Sequence, residues 1–438
     1  MQARLKSFLE TLRSDFWPLP FAFALVSLLL AELSLFIDRN HSTIFEDWLF
    51  QPSVEGLRAI LTTTASGTLT LSGLVFSSTV VALTLASSQL GPRLLHNFIR
   101  ARCNQITLGV LLGNFIFALV ILRETRADFL PHFSVFLSFA STLFSLGTFI
   151  YFVHFLVRSL QAGNVVASVA DSLQSELEKT FTNRANSSEE EKKAESERES
   201  WEKLENEKSV CSIESGYLQL VHIEGLVEGA RELDCRIRLF IRPGQPVLEG
   251  TPVFAYESND SLSRESEDQL RSQFVFGRRR TTDQDFEFSL RQLVEVGIRS
   301  LSPGINDPFT AMNCIDLLTM SMAKIARRDL QNNTHYDSGG VPRVRTRPLS
   351  FRNLLHTSFL QIRHDGSNRP DVTIRLLESL LLLVEQTTNE EQTGAVVELA
   401  DLIRTEAKEH ISSPFDRECI SRIHSQITRE ADSRNEME

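Results

Sequence analysis

Four carboxylate and amide side chains in the second half of the chain are candidates for chemistry. Asp285 and Glu287 stand at the start of one helical pattern, and Asn306 and Asp307 stand in a break further along. Such groups bind metal ions or transfer protons when they converge. Capping explains the same residue types, because Asp and Asn side chains accept hydrogen bonds from the free N–H groups at a helix start. We expect capping to explain most of them, and the enzyme interpretation stays as an alternative.

The break reads Leu-Ser-Pro-Gly-Ile-Asn-Asp-Pro-Phe-Thr-Ala over residues 301–311 and separates two helical patterns. Both prolines suit a first helical position, where no backbone donor is needed, and the preceding Ser and Asp are matching caps. The glycine can take the positive φ that a tight reversal demands. The plain interpretation is a capped corner, and the sharper one adds a functional surface. The residues of this central turn are Ser302, Pro303, Gly304, Asn306, Asp307, Pro308 and Thr310.

Three consecutive arginines, Arg278, Arg279 and Arg280, come directly before a helix predicted to start near Asp283. Guanidinium groups and the free N–H groups of a helix start both suit phosphate or carboxylate. The sequence therefore offers these residues as an anion-binding site. Pairing with nearby acids, or contact with a neighbouring subunit, is the alternative.

Composition excludes several classes of function. The 438 residues carry a formal net charge of −11, which argues against a general nucleic-acid binder. Five scattered cysteines without a C-x-x-C pair form neither a disulfide framework nor a zinc site. No GxxxxGK[ST], HExxH or G-x-S-x-G motif occurs. We therefore expect no cofactor and no bound metal.

Apolar runs concentrate in the first 160 residues and predict four membrane spans. They cover about residues 17–37, 60–90, 106–122 and 133–157. Glu32 lies within the first span, where an acid is a functional candidate by default. The alternative is that this carboxylate reaches the nearer membrane interface or pairs with a neighbouring helix.

The second span is unusually rich in hydroxyl groups. Steps of three, four or seven residues place one polar line along it, which only one apolar level interrupts. A water-filled path at the axis of a homo-oligomer, closed by a dewetting gate, would have this pattern. Close packing of helices explains the same hydroxyls. The predicted pore-lining residues are Thr63, Ser66, Thr70, Gly73, Ser77, Val80, Val81, Thr84 and Ser88.

Basic residues in the short loops set the predicted orientation. Seven lie on one side and four on the other, which places both termini in the cytoplasm. Three of the seven, Arg93, Arg100 and Arg102, follow the second span and would favour anions at a pore mouth.

Four regions follow from these patterns: a transmembrane four-helix region (1–160), a helical extension with an acidic charged linker (161–210), a small β-rich unit (211–280) and a helical domain containing the central turn (281–438). Strands are predicted at 217–221, 235–239 and 253–255, and a loop at 332–347. Helices are predicted at 354–363, 372–386, 393–409 and 415–431. The apolar face of the second of these must be buried and consists of Leu376, Leu377, Leu380, Leu381, Leu383 and Val384. The predicted fold class is a membrane α-helical bundle followed by a cytoplasmic α+β domain.

Several segments resemble a bacterial membrane-protein family, domain of unknown function 2254. They are Arg299-Ser-Leu-Ser-Pro-Gly-Ile-Asn-Asp-Pro-Phe-Thr-Ala, Ala86-Ser-Ser-Gln-Leu-Gly-Pro-Arg-Leu-Leu-His-Asn-Phe, Ser215-Gly-Tyr-Leu-Gln, Arg242-Pro-Gly, Asp285-Phe-Glu-Phe and Arg291-Gln-Leu-Val. The resemblance covers about residues 15 to 390. It implies a bacterial inner membrane location and four spans with a cytoplasmic domain, and it carries no activity.

Three functional classes compete on this basis. The first is a homo-oligomeric channel or solute path gated by the cytoplasmic domain. The second is a membrane-tethered sensor or scaffold that binds a small anion or a phosphorylated ligand. The third is a membrane-bound enzyme. We expect the lipid bilayer and further copies of the chain as partners, and no nucleic acid.

Overall fold

The computed structural model describes residues 17–40, 53–90, 102–126, 129–159, 162–180, 201, 207–258, 261–281, 284–328, 330 and 333–436. The chain divides into two compact units, Met1–Val165 and Val166–Glu438. Four apolar helices come first, and small sheets with a mainly helical C-terminal part follow. The predicted succession of an apolar helical bundle and an α+β domain is confirmed, while the cytoplasmic location of that domain stays a prediction. The finer region boundaries stay predictions, and most of the charged linker lies outside the described residues.

Long apolar helices form the described part of the first unit: α1 (Pro18–Asn40), α2 (Val54–Leu90), α3 (Arg102–Glu124) and α4 (His132–Ser159). Each is long and apolar enough to cross a membrane, as the four predicted spans require. Helix α2 has 37 residues. At a rise of about 1.5 Å per residue it is roughly 55 Å long, against a hydrocarbon core of about 30 Å. Helix α5 (Ala162–Thr180) follows α4 along the chain.

Helix α3 packs most closely against α1. A Cβ atom added to Gly113 would lie 2.3 Å from the hydroxyl oxygen of Ser27, and one added to Gly109 would lie 2.9 Å from the Phe23 ring. Glycines four residues apart let two membrane helices approach within backbone distance. The glycine face of the third span is therefore covered by α1 of the same chain.

Asp38, near the end of α1, is buried and fixes the start of α4. Its carboxylate accepts hydrogen bonds from the N–H groups of Phe133 and Ser134, both at 3.0 Å, and from the Ser134 hydroxyl at 2.5 Å. A negative charge at a helix N-terminus satisfies free donors and complements the helix dipole. The first and fourth spans are tied together at this end.

The second unit contains two sheets, with strand orders β1-β5-β3-β8-β7 and β4-β2-β6. Helices α6 (Ile223–Glu232) and α7 (Arg264–Arg271) accompany them. Leu218, Ile237 and Phe254 lie in the shared core, and the predicted strands at these positions are confirmed. The strands are β1 (Lys208–Cys211), β2 (Gly216–Val221), β3 (Arg236–Leu239), β4 (Pro246–Val247), β5 (Pro252–Glu257), β6 (Phe274–Gly277), β7 (Thr334–Tyr336) and β8 (Pro342–Arg345).

The predicted loop at 332–347 is wrong, because it contains β7 and β8. Strand β8 runs parallel to β3, with Ile237 opposite Val344. Only Val344 of this strand is fully buried. The local apolar signal is therefore weak, and pairing with a strand about a hundred residues earlier creates the element.

Helices build the rest of this unit, and those predicted after residue 351 are confirmed. The apolar face predicted around Leu376 and Leu380 is buried, while Leu381 is half-buried. The helices are α8 (Phe286–Leu301), α9 (Pro308–Ala326), α10 (Phe351–Gly366), α11 (Pro370–Val384), α12 (Glu390–His410) and α13 (Pro414–Asn435).

Candidate functional site

Helix α2 has two different faces within the first unit. One face packs inside the unit and carries the buried residues Leu61, Ala65, Thr68, Ser72, Val75, Thr79 and Ala82. At 3.6 residues per turn, the predicted pore-lining residues fall on the opposite side of the helix. All nine of them are exposed in the single chain.

Several hydroxyl groups on this outer face donate hydrogen bonds to the backbone of the helix itself. Thr63 and Thr70 donate to the carbonyl oxygens four residues earlier at 2.8 Å, and Thr84 does so at 2.9 Å. Such back-bonding lets hydroxyls exist in a membrane helix without water. Their oxygen lone pairs still face outward and offer hydrogen-bond acceptors to whatever covers the face.

Two glycines of α2, Gly67 and Gly73, face open space. No described atom lies within 4 Å of a Cβ added to Gly67 or Gly73. Leu69 and Phe76 flank the polar line on one side, and Leu74 flanks it on the other, all about half exposed. The outer face is thus a small-residue groove between apolar ridges.

Glu32 lies 3.4 Å from Arg123, and 52% of its side chain is exposed. Arg39 and Glu124 form a second pair at 3.0 Å. The neighbouring-helix interpretation of Glu32 therefore accounts for its position in the first span.

Asp285 is the centre of a polar junction in the second unit. Its carboxylate receives two hydrogen bonds from Arg280, at 2.7 and 2.8 Å, and caps α8 by accepting the N–H of Phe288. Burial raises the pKa of Asp285, while Arg280 opposes that rise. Next to this pair, Arg242 binds Glu287.

Close backbone approach completes the junction. Gly244, with φ of +89°, lies so near that a Cβ there would be 2.0 Å from the Asp285 carboxylate. Only glycine fits this left-handed conformation and this gap. The turn after Arg242 and the start of α8 therefore depend on each other.

The three consecutive arginines separate into two groups. Arg280 is held by Asp285, as the pairing alternative expected, whereas Arg278 and Arg279 are exposed. Asp283 lies outside the described residues. The helix begins at Phe286, three residues after the predicted start, because Asp285 supplies the cap.

The central turn contains one helix start rather than two. Asp307 caps α9, accepting the N–H of Thr310 at 3.1 Å and its hydroxyl at 2.6 Å, with Pro308 at the first helical position. The Thr310 hydroxyl lowers the pKa of Asp307. No helix starts at Pro303. Ser302 instead ends α8 and donates its hydroxyl to the carbonyl of Arg299.

Asn306, not Gly304, takes the left-handed conformation in this turn, with φ of +52°. Asparagine tolerates that region better than other residues with a side chain. Its side-chain oxygen accepts a hydrogen bond from Arg369. Pro303, Gly304 and Asn306 are all exposed.

Asp285 and Glu287 do not meet Asn306 and Asp307. Helix α8 lies between the two pairs, and its 16 residues span about 24 Å. The described residues also contain no group of three His, Cys, Asp or Glu that could hold a metal ion. The four polar residues therefore lie at opposite ends of α8 and do not form one cluster.

The family model described as predicted membrane protein (DUF2254) matches residues 13–381. The chain belongs to this family. An uncharacterised protein of Mycobacterium tuberculosis strain H37Rv is 26% identical over 433 residues, which cover 95% of this chain and 81% of that protein. An uncharacterised protein of Mycobacterium bovis is similar to the same extent. No solved structure matches the chain.

Within this DUF2254 chain, sequence reasoning missed the glycine contact of α3. Its signal was present, since Gly109 and Gly113 form a G-x-x-x-G pair in an apolar stretch. It also missed the cap role of Asp38 and the left-handed Asn306. Arg93 and Arg100 lie outside the described residues, while Arg102 begins α3.

Proposed function

We propose that this membrane protein assembles from several copies around the outer faces of their α2 helices, which enclose a polar solute path. The observation that carries the proposal is the exposure of the whole polar line on the side of α2 opposite to its packed face. In a lone chain, seven small or hydroxylated residues would contact lipid. Small residues are typical of surfaces where membrane helices approach each other closely.

The two valines give such a path a closing point. Val80 and Val81 are about half exposed and interrupt the polar line once. An apolar constriction stops ions by dewetting, while hydroxyls above and below replace part of their hydration. The second unit would then act as a gating domain, and Arg102 with Arg93 and Arg100 would favour anions near the mouth.

Location and orientation complete the proposal. We place the protein in the bacterial inner membrane with both termini in the cytoplasm, because seven basic loop residues lie on that side and four on the other. A reporter fused after Glu438 should be active only in the cytoplasm. Periplasmic activity would reverse the orientation.

Subunit counting tests the assembly. Full-length protein in lipid nanodiscs should give a defined ring by native mass spectrometry. In a background without native cysteines, Ser77→Cys should cross-link between copies, while Leu143→Cys on the lipid-exposed side of α4 should not. A monomer in nanodiscs would overturn the central path.

Ion leak tests the gate. Val80→Ser or Val81→Ser should raise the leak of reconstituted vesicles, because a polar ring wets more readily. Leu143→Ser is the matched control, since Leu143 is 56% exposed. Leu112 in the third span is half-buried and serves this purpose less well. Unchanged leak in both valine variants with intact assembly would exclude the gate.

A further inference from the structure

Two buried side-chain oxygens at the contact between α3 and α4 have no hydrogen-bond partner among the described residues. They are Oδ1 of Asn114 on α3 and Oγ of Ser138 on α4, and the two residues are only 2% and 1% exposed. Burying a polar atom without a partner is costly, so interior oxygens of this kind call for a bound group that completes their contacts.

The hydrogen bonds around Asn114 fix the direction of its amide. Thr142 has one hydroxyl proton, which it donates to the carbonyl of Ser138 at 2.7 Å. Its oxygen can therefore only accept from Asn114, whose Nδ2 lies 3.2 Å away. The amide nitrogen must face Thr142, and Oδ1 must point away from it into the helix contact.

Both oxygens without partners face the same part of this contact. Ser138 lies four residues before Thr142, so the two side chains are neighbours on one face of α4. Asn114 touches that face through Thr142. The amide oxygen, the Ser138 hydroxyl and the Thr142 hydroxyl thus form one buried group of neutral oxygens within the first unit.

A buried carboxylate lies one further helical turn along α4. Asp38 is 5% exposed and accepts the hydroxyl of Ser134, four residues before Ser138, at 2.5 Å. Among the described residues no cationic side chain forms an ion pair with Asp38, and the adjacent Arg39 pairs with Glu124 instead. Buried charges are normally paired with an opposite charge or coordinate a metal ion. The described interior of this unit therefore leaves one negative charge unbalanced.

Neutral oxygens next to a single carboxylate suit a monovalent cation. Hydroxyl, amide and carboxylate oxygens are the ligands that hard cations prefer. A divalent cation would require more carboxylates than this part of the unit offers. A water molecule could satisfy the two oxygens, but it would not balance the charge of Asp38.

We propose that the first unit binds Na⁺ or K⁺ beside Ser138, with Asn114 Oδ1 and Ser138 Oγ as ligands and Asp38 as the counter-charge. Attraction over one or two helical turns is effective there because the buried interior screens charges weakly. The site lies within one chain and does not depend on the path proposed for α2. Neutral oxygens form no sequence motif, so the expectation of no bound metal did not take them into account.

Thermal unfolding with NaCl and KCl tests the site. Full-length protein in neutral detergent is titrated with each salt, and choline chloride keeps the ionic strength constant. One of the two small cations should raise the unfolding temperature saturably, because a ligand that binds only the folded state stabilises it. Ser138→Ala, Asn114→Leu and Asp38→Asn should each raise the half-saturating concentration at least about tenfold.

Thr79→Val is the matched control for the loss of a buried hydroxyl. Thr79 lies on α2 and donates its proton to the carbonyl of Val75 at 2.8 Å, so its loss should leave the half-saturating concentration unchanged. An unfolding temperature that responds to Na⁺ and K⁺ no more than to choline would overturn the proposal and favour a buried water. A response that Ser138→Ala leaves intact would also overturn it, since the cation would then bind elsewhere. Should Asn114→Leu fail to fold, Ser138→Ala still decides the question, because it removes one oxygen only.

Discussion

The second and third spans use small residues in opposite ways. On α3, Gly109 and Gly113 face α1 so closely that no side chain would fit. On α2, Gly67 and Gly73 face open space, with hydroxyls above and below them. Glycine therefore forms a helix contact within the chain on α3, whereas on α2 it leaves a surface that no other part of the described chain covers. Composition alone does not separate these cases, because the difference lies in which partner stands opposite.

The largest effect is expected at Gly113. Replacing it by Leu places a side chain where the Ser27 hydroxyl already lies, so α1 and α3 must separate. We expect a loss of about 3 kcal/mol of stability or more, at the upper end of overpacking costs. Thermal unfolding in detergent measures this loss of stability. A variant as stable as the wild type would contradict the difference between the glycines of α3 and those of α2.

Gly73→Leu is the matched change on α2. It meets no atom of the described chain, so the unfolding temperature of the detergent-solubilised monomer should stay unchanged. The copies, however, would be held apart. Association should weaken at least about tenfold, or roughly 1.4 kcal/mol, as measured by the monomer fraction in nanodiscs. Undisturbed assembly would show that this face lies outside the subunit contact.

Asp38→Ala tests a second contact within the first unit, the one between the end of α1 and the start of α4. It removes the acceptor of three hydrogen bonds at the start of α4 and leaves the N–H groups of Phe133 and Ser134 without it. Buried unsatisfied donors cost about 1–3 kcal/mol. Glu32→Gln is the control at an exposed pair worth about 0–1 kcal/mol. Equal effects of both changes on unfolding would contradict the assigned difference.

Asp307 provides the same capping chemistry at a solvent-accessible position, with the smallest expected effect. Its folded pKa is lowered, so its contribution to stability is fully present above its unfolded pKa and is lost as pH falls through the folded value. Asp307→Asn should remove part of this acid dependence below about pH 4. The cap itself is worth about 1 kcal/mol. Denaturant unfolding between pH 3 and 7 compares the two chains, and identical pH profiles would argue against the role.

Local patterns were enough for the spans, the first strands and the last four helices, because apolar periodicity encodes them residue by residue. They were not enough where the deciding partner is distant. Strand β8 forms because β3 pairs with it. Arg280 forms an ion pair because the buried carboxylate of Asp285 lies beside it. In the central turn, the cap at Asp307 was readable from sequence. The choice of Asn306 over Gly304 for positive φ was not, because both residue types allow it.

The unbroken length of α2 has a mechanical consequence. A rigid rod of about 55 Å that tilts by about 10° displaces one end by roughly 10 Å relative to the other. Rotation about its own axis by one residue step, about 100°, would exchange the hydroxyl line for the flanking leucines. A small tilt or rotation imposed at one terminus of this helix is therefore converted into a larger displacement of the residues near its other end.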